Sequence, residues 1–504
     1  MNYAGMKVTI MGLGLNGGGL ESARYLALHG AECTVTDMKD EAALGVSIEK
    51  LESIAEAHTP FRYVLGRHEM EDFSRADMVI KNPGVRPDSP YLAAARSIET
   101  DISLFLAANP ARLTAVTGSK GKSSTASALH WVLAKARETA SSYGGISNSA
   151  LLPGKARLGG NITVSPLSFL DELSAGDDVV LELSSWQLGD LKGRSGEILL
   201  KPRAAVLTAI MADHQDRYGS MEAYVNDKRI IYQGQDKSCV TVASADDDWG
   251  RSFLTESPGR PLPYSGHASL GGKIAGGDLA DGDLADGGWI DAAANTGMIR
   301  LAASGAQEAV PAGLLVPGRH QKKNLLAAAL ALADLGLPVP FIREHLGTFP
   351  GIEHRLEFFH EKNGIRFYND TAATIPEAAA AAVEALTENK SPLVLVTGGT
   401  DKNLDFSPLV QAAAKAAAII LLAGTGSDKL ASLFTAAGIS FQGPFDNLDT
   451  AVETALEEAK RLKGGAPEGR LTAALSPGCA SFGMFKNEFD RGRRWKDTVL
   501  RTAL

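Results

Sequence analysis

One stretch, Thr117-Gly118-Ser119-Lys120-Gly121-Lys122-Ser123-Ser124-Thr125, gathers a glycine turn, lysines and a run of hydroxyls. That combination binds a nucleotide polyphosphate. Backbone N–H groups of the turn (Gly118, Ser119, Lys120, Gly121) and of the first helical residues (Lys122, Ser123, Ser124) point at phosphate oxygens. The Lys122 ammonium offsets their charge, and the Ser123 hydroxyl can ligate Mg2+. The full phosphate-loop pattern places a glycine five residues before Gly121, where this chain has Val116. The turn therefore needs support from elsewhere in the chain.

Support comes first from Glu182, at the end of the apolar run 179–183. A carboxylate ending a buried strand beside such a turn is placed to hold Mg2+ against the β- and γ-phosphates; it reads equally as a buried acid satisfied by backbone amides. Next comes Asp213-His214-Gln215-Asp216-Arg217-Tyr218, then Lys228 on a probable helix. Taken alone, His214 is a loop histidine and Lys228 a solvated lysine. A second glycine turn, Gly12, Gly14 and Gly17, lies between a strand at 6–11 and a helix at 20–29, with Asp37 ending the next strand. The spacing fits the dinucleotide fingerprint, and hence an NAD-dependent dehydrogenase, as well as it fits a glycine-rich turn in any doubly wound domain.

The elements that must carry these residues alternate strand and helix. Strands are expected near 32–36, 78–81, 113–116, 179–183, 204–207, 365–369, 393–397, 419–423 and 472–476, with helices at 103–109 and 324–335. Such alternation predicts α/β architecture with parallel sheets and ligands at their carboxyl edges. A chain of 504 residues is too long for one core. Three domains are expected: 1–102, Rossmann-like; 103–350, nucleotide-binding; and 351–504, again Rossmann-like. Residues 252–302 are glycine- and aspartate-rich, with Asp278-Leu279-Ala280-Asp281-Gly282 repeated at 283–287, and read as a solvated surface insertion. The net charge of −9 argues against a nucleic-acid or anionic-membrane partner. Three cysteines, Cys33, Cys239 and Cys479, fit a reducing cytosol better than a disulfide framework. With no signal peptide or membrane span legible, a cytoplasmic protein is expected, acting as a monomer.

Several ordered motifs together are more specific than any one. The phosphate turn, Gly159-Gly160-Asn161, Leu181-Glu182-Leu183-Ser184-Ser185-Trp186-Gln187-Leu188, Asp213 to Tyr218 and Lys228 resemble the Mur ligases. The C-terminal third agrees, through Glu353-His354-Arg355-Leu356-Glu357, Asn369-Asp370-Thr371, Gly398-Gly399-Thr400-Asp401-Lys402 and Leu475-Ser476-Pro477-Gly478-Cys479-Ala480-Ser481. Within the family the pattern looks most like the D-glutamate-adding enzymes. The resemblance implies ATP-dependent addition of D-glutamate to UDP-N-acetylmuramoyl-L-alanine through an acyl phosphate, in peptidoglycan precursor synthesis. It implies Lys122, Glu182, His214 and Lys228 as the catalytic set, Lys228 being carbamylated, and Ser123, Glu182, His214 and Lys228 as Mg2+ ligands. Asn324, Arg355 and Asp370 match positions around the rest of ATP. Leu15, Asn16, Asp37, Lys39, Gly84 and Asn161 match positions that hold the UDP-substrate, which would make the first domain a UDP site and no dinucleotide site. Thr374, Lys402 and Ser481 match positions for the incoming amino acid, where a lysine suits a dicarboxylate.

The chain departs from that pattern twice. Asp370-Thr371-Ala372-Ala373-Thr374-Ile375 lacks a lysine that many D-glutamate ligases carry there, and Glu488 follows Phe485-Lys486-Asn487 where an aromatic is expected, with Phe489 one place later. Another Mur ligase, a folylpolyglutamate synthetase-type ligase and a non-catalytic nucleotide-binding scaffold are the other readings left by the sequence.

Overall fold

A computed structural model describes residues 3–14, 17–55, 60–139, 154–162, 164–194, 199–267, 286–301, 305–388, 391–463 and 471–503. Contacts divide the chain into two units, one of residues 1–312 and 323–346, the other of 313–322 and 347–504.

The first unit holds two sheets. Its N-terminal sheet runs β3-β2-β1-β4-β5, from β1 (Lys7–Met11), β2 (Glu32–Asp37), β3 (Arg62–Leu65), β4 (Met78–Lys81) and β5 (Ile98–Glu99). All its pairings are parallel. The helix Gly18–Leu28 crosses back over it, and a Cβ on Gly19 would lie 2.1 Å from the Gly12 carbonyl oxygen. Only glycine permits that approach of helix to turn.

The larger sheet runs β14-β13-β12-β11-β10-β9-β6-β8-β7. Its strands are β6 (Arg112–Thr117), β7 (Ala156–Gly160), β8 (Asp178–Glu182), β9 (Ala204–Leu207), β10 (Val240–Ser244), β11 (Arg260–Ser265), β12 (Gly287–Asp291), β13 (Thr296–Arg300) and β14 (Gln307–Val310). Strands β6, β8 and β9 are almost wholly buried, which is why they read as continuous apolar runs without alternation. Residues 252–302 differ from the solvated loop expected. Their described parts supply β11, β12 and β13, with Leu262, Tyr264, Ile290 and Ile299 buried. The compositional bias hid short strands whose side chains alternate around glycine. The duplicated Asp-Leu-Ala-Asp-Gly motif falls almost entirely outside the described residues.

The second unit is built on one sheet, β15-β16-β20-β17-β18-β19, from β15 (Glu357–Lys362), β16 (Ile365–Asn369), β17 (Leu393–Gly398), β18 (Ala418–Leu422), β19 (Gln442–Phe445) and β20 (Leu471–Leu475). Only the β15–β16 pair is antiparallel. Two apolar clusters cover its faces, one around Leu395, Leu421 and Phe434, the other around Val396, Ile420 and Trp495.

Candidate functional site

Register places the phosphate turn. Val116 pairs with Glu182 and Thr117 with Leu207, so three parallel strands end together and the turn after β6 rises between Glu182 and the segment after β9. Helix Lys122–Thr139 follows at once, giving the turn a helix start whose first N–H groups have no partner further back in the helix. Gly121 has φ 92° and a Cβ there would lie 2.4 Å from Asn324 Oδ1; at Gly118 it would lie 1.9 Å from Thr208 Oγ1. The two glycines thus let neighbouring side chains close on the turn, and they bring Asn324 against it. Ser119 is buried, its hydroxyl bonded to the Met211 carbonyl and to Tyr224 Oη, both at 2.9 Å. Lys120 is exposed, 3.9 Å from Asp213. Lys122 Nζ donates to the Ser119 carbonyl at 3.1 Å, and Ser123 and Ser124 are half-buried.

Glu182 is 1% exposed. Asn161 Nδ2 donates to Glu182 Oε1 at 3.1 Å, whereas Oε2 is buried without a hydrogen-bond partner. A buried carboxylate oxygen left bare is costly unless a cation or donor completes it. Lys228, on helix Met221–Gln233, overturns the solvated reading: it is 1% exposed, and its Nζ donates to the Gly118 carbonyl at 2.8 Å. Burial, and next the nearby Lys122 cation, push its pKa down to about 7, against the partial opposition of Asp213, Asp227 and Glu182. A lysine so held has access to its nucleophilic free amine near neutrality. Tyr224 lies one turn before it, with its ring 4.5 Å from Lys228 Nζ.

His214 sits in the left-handed region at φ 51°. Its ring stands 5.0 Å from Trp186 and 6.3 Å from Tyr224. Tyr224 therefore links Ser119, Lys228 and His214. Sequence reasoning passed over it, although the spacing of four to Lys228 placed both on one helix face.

In the N-terminal sheet, Asp37 ends β2 and accepts the Gly14 N–H at 3.1 Å and the Lys39 N–H at 2.9 Å. Gly84 donates its N–H to Asn82 Oδ1 at 3.1 Å. Lys39 and Asn161 are exposed, and Leu15 and Asn16 lie outside the described residues.

In the second unit, β16, β20 and β17 are adjacent, and the loops leaving their carboxyl ends carry Asp370 and Thr374, Ser481, and Lys402 respectively. Asp370 is almost wholly buried; Ser476 Oγ donates to it at 2.6 Å and the Leu356 N–H at 2.9 Å. Burial nevertheless pushes its pKa up to about 7. Arg355 is exposed in the turn between His354 and Leu356, both at positive φ. Thr374 is half-buried, Ser481 buried and Lys402 exposed. The residue that joins these loops was missed: Arg491, fully buried, donates from Nε to Thr371 Oγ1 and from Nη2 to the Thr371 carbonyl, both at 3.0 Å, and from Nη1 to the Cys479 carbonyl at 3.2 Å. In sequence it is one of several arginines on a polar helix. Phe489 stands 5.4 Å from His354, while the Glu488 carbonyl accepts from Thr371 Oγ1 at 2.8 Å.

The descriptions "Mur ligase MurD-like, N-terminal domain", "Mur ligase middle domain" and "Mur ligase, glutamate ligase domain" match residues 6–103, 116–332 and 354–464. A UDP-N-acetylmuramoylalanine–D-glutamate ligase of Treponema pallidum is 39% identical, over 98% of this chain and 97% of its own. One of Roseiflexus sp. is 36% identical, over 99% of both chains. A solved UDP-N-acetylmuramate-alanine ligase of Thermotoga maritima shares the fold, with TM-score 0.53 at 18% identity, over 99% of this chain and 100% of its own. With three successive matches and relatives of this identity along nearly its whole length, the chain belongs to the Mur ligase family.

Proposed function

We propose that the protein is an ATP-dependent ligase that joins D-glutamate to UDP-N-acetylmuramoyl-L-alanine, releasing ADP and phosphate. It acts as a cytoplasmic monomer in peptidoglycan precursor synthesis, without a nucleic-acid or membrane partner. The observation that carries the chemistry is the cluster at the end of β6: a phosphate turn, a buried lysine bonded to its Gly118 carbonyl, and a buried Glu182 oxygen without a partner.

The substrate carboxylate attacks the γ-phosphorus of ATP, giving an acyl phosphate and ADP. The amino group of D-glutamate then attacks the acyl carbon, and the tetrahedral adduct collapses to an amide as phosphate leaves. Lys122 and the N–H groups at Gly121 and the helix start hold the phosphates through both steps, a task of positioning and charge; the Ser119 and Lys120 N–H groups, expected to join them, instead donate to the Ala209 carbonyl at 2.8 and 3.3 Å. Mg2+ would supply charge neutralisation between phosphate and carboxylate. The residues fit it. Among the described residues no three His, Cys, Asp or Glu side chains gather as a ready metal site; what supports a cation is the buried Glu182 oxygen without a partner, and Ser123, His214 and the carbamylated Lys228 are the further ligands proposed. Carbamylation turns that lysine from a cation into a carboxylate-like ligand, and its depressed pKa supports the conversion.

Asn324, Arg355 and Asp370 complete the proposed ATP contacts. Leu15, Asn16, Asp37, Lys39, Gly84 and Asn161 are proposed for the UDP-substrate, and Thr374, Lys402 and Ser481 for D-glutamate. The dehydrogenase reading leaves Lys122, Glu182, His214 and Lys228 without a task. Phosphate release, measured with UDP-N-acetylmuramoyl-L-alanine, ATP and a panel of amino acids, is expected to depend on D-glutamate. Turnover with another amino acid and none with D-glutamate would overturn the assignment.

A further inference from the structure

A cleft of about 410 Å³ opens in the first unit between residues 86–88, just beyond Gly84, and the segments bearing Trp186, Asp190 and Arg217. Its carboxylates are already matched. Asp88 pairs with Arg86 at 2.8 Å, Asp190 with the buried Lys81 at 2.6 Å, and Asp227 with Lys192 at 2.6 Å. Arg217 makes no ion pair of this kind among the described residues, although its charge acts on Asp190 and Asp88 from further away. The guanidinium is instead laid over the Trp186 indole, 4.2 Å from the ring centroid. Stacking restrains the orientation of the group and leaves its in-plane N–H donors for a planar anion. The same indole carries the His214 ring at 5.0 Å. Arg217 and His214, three residues apart, therefore pack on one side chain, which ties the donor fork to a residue of the proposed reaction centre.

We propose that Arg217 is a positioning residue that binds the carboxylate of the UDP-linked acid as its acyl arm lies in this cleft, presenting that carboxylate for phosphorylation. The inference rests on the ligase reading and adds to it a residue that selects an acid over a neutral end group. The cleft supports the choice of ligand: its lining residues 86–88 follow Gly84, proposed for UDP, in the chain, and its Trp186 touches the His214 ring. A carboxylate is the one anion that the acyl arm carries.

The test is calorimetric binding of UDP-N-acetylmuramoyl-L-alanine and of its carboxamide to the unsubstituted protein and to Arg217→Gln. Loss of a charge-assisted fork should weaken the acid by about ten- to a hundredfold while leaving the amide within about twofold. Arg217→Lys, which keeps the charge and loses the fork, should fall between the two. Equal weakening of acid and amide would assign Arg217 to packing against Trp186 and overturn the proposal, as would unchanged binding of both. Failure of the unsubstituted protein to bind the acid at all would overturn the ligase reading instead.

Discussion

The ammonium nitrogen of Lys228 and the carbonyl oxygen of Gly118 are 2.8 Å apart, although 110 residues separate them in the chain. The contact ties the helix after His214 to the phosphate turn, and it holds a lysine where water does not reach. If that lysine works as a carbamate, Lys228→Ala should lower phosphate release by at least about a hundredfold, the scale of losing one preorganised electrostatic group. Acetate or propionate should restore part of the rate by taking the carbamate's place. Labelling with 13C-bicarbonate should give a carbamate carbon signal in the unsubstituted protein and none in the variant. Unchanged turnover in Lys228→Ala would remove the proposed role.

Gly121 faces Asn324 so closely that any side chain there would push the Asn324 amide away. Gly121→Ala adds a Cβ at 2.4 Å from Asn324 Oδ1 and forces a φ of 92° on alanine. The backbone alone should cost about 1–2 kcal/mol. The KM for ATP should rise about tenfold with the displacement of the turn, and the KM for the UDP-substrate should not follow. Steady-state kinetics with each substrate varied in turn checks this.

Asp370 makes the second unit sensitive to pH. Its folded pKa, about 7, lies above the ordinary 3.8, because burial outweighs the bonds from Ser476 and Leu356. Between those values the folded chain binds the extra proton, so the contribution of this group to stability falls as pH rises from about 4 through 7. Asp370→Asn removes that fall. At pH 8 the variant's second unit should be more stable by roughly 1–3 kcal/mol, while ATP turnover drops, the trade expected of a functional acid kept in a costly place. Thermal unfolding at pH 5 and pH 8 measures the first effect. Parallel curves for variant and unsubstituted protein would contradict it.

Arg491 binds two loops from the inside. Arg491→Met leaves the Thr371 and Cys479 carbonyls without their donor and should cost about 2–4 kcal/mol. Arg491→Lys should recover little, since one ammonium cannot reproduce the fork. The KM for D-glutamate should rise in both variants, because Ser481 follows Cys479 by two residues. A melting curve and a D-glutamate titration are sufficient.

The phosphate turn, Glu182 and the strands ending beneath them were legible because their signals are local. A glycine turn followed by lysine and serine is spelled in consecutive residues, even though Val116 left it needing support from motifs further along the chain, and strands buried on both faces spell themselves as apolar runs. The sheets of both units were expected from strand and helix alternation for the same reason. Residues 252–302 misled because glycine and aspartate dominate the stretch while the sheet accepts its few apolar positions as β11, β12 and β13.

What tertiary structure alone decided is burial and partnership. Lys228 reads as solvated on its helix, and only the approach of the Gly118 turn makes it a buried amine at about 7. Arg491 and Arg217 look alike in sequence. The fold gives one to two backbone carbonyls and sets the other over an indole beside an open cleft. A side chain's charge and reactivity depend on the dielectric and the neighbours that distant segments bring to it, so the chain by itself determined which groups were present and in what local turns, and the packing determined what each of them can do.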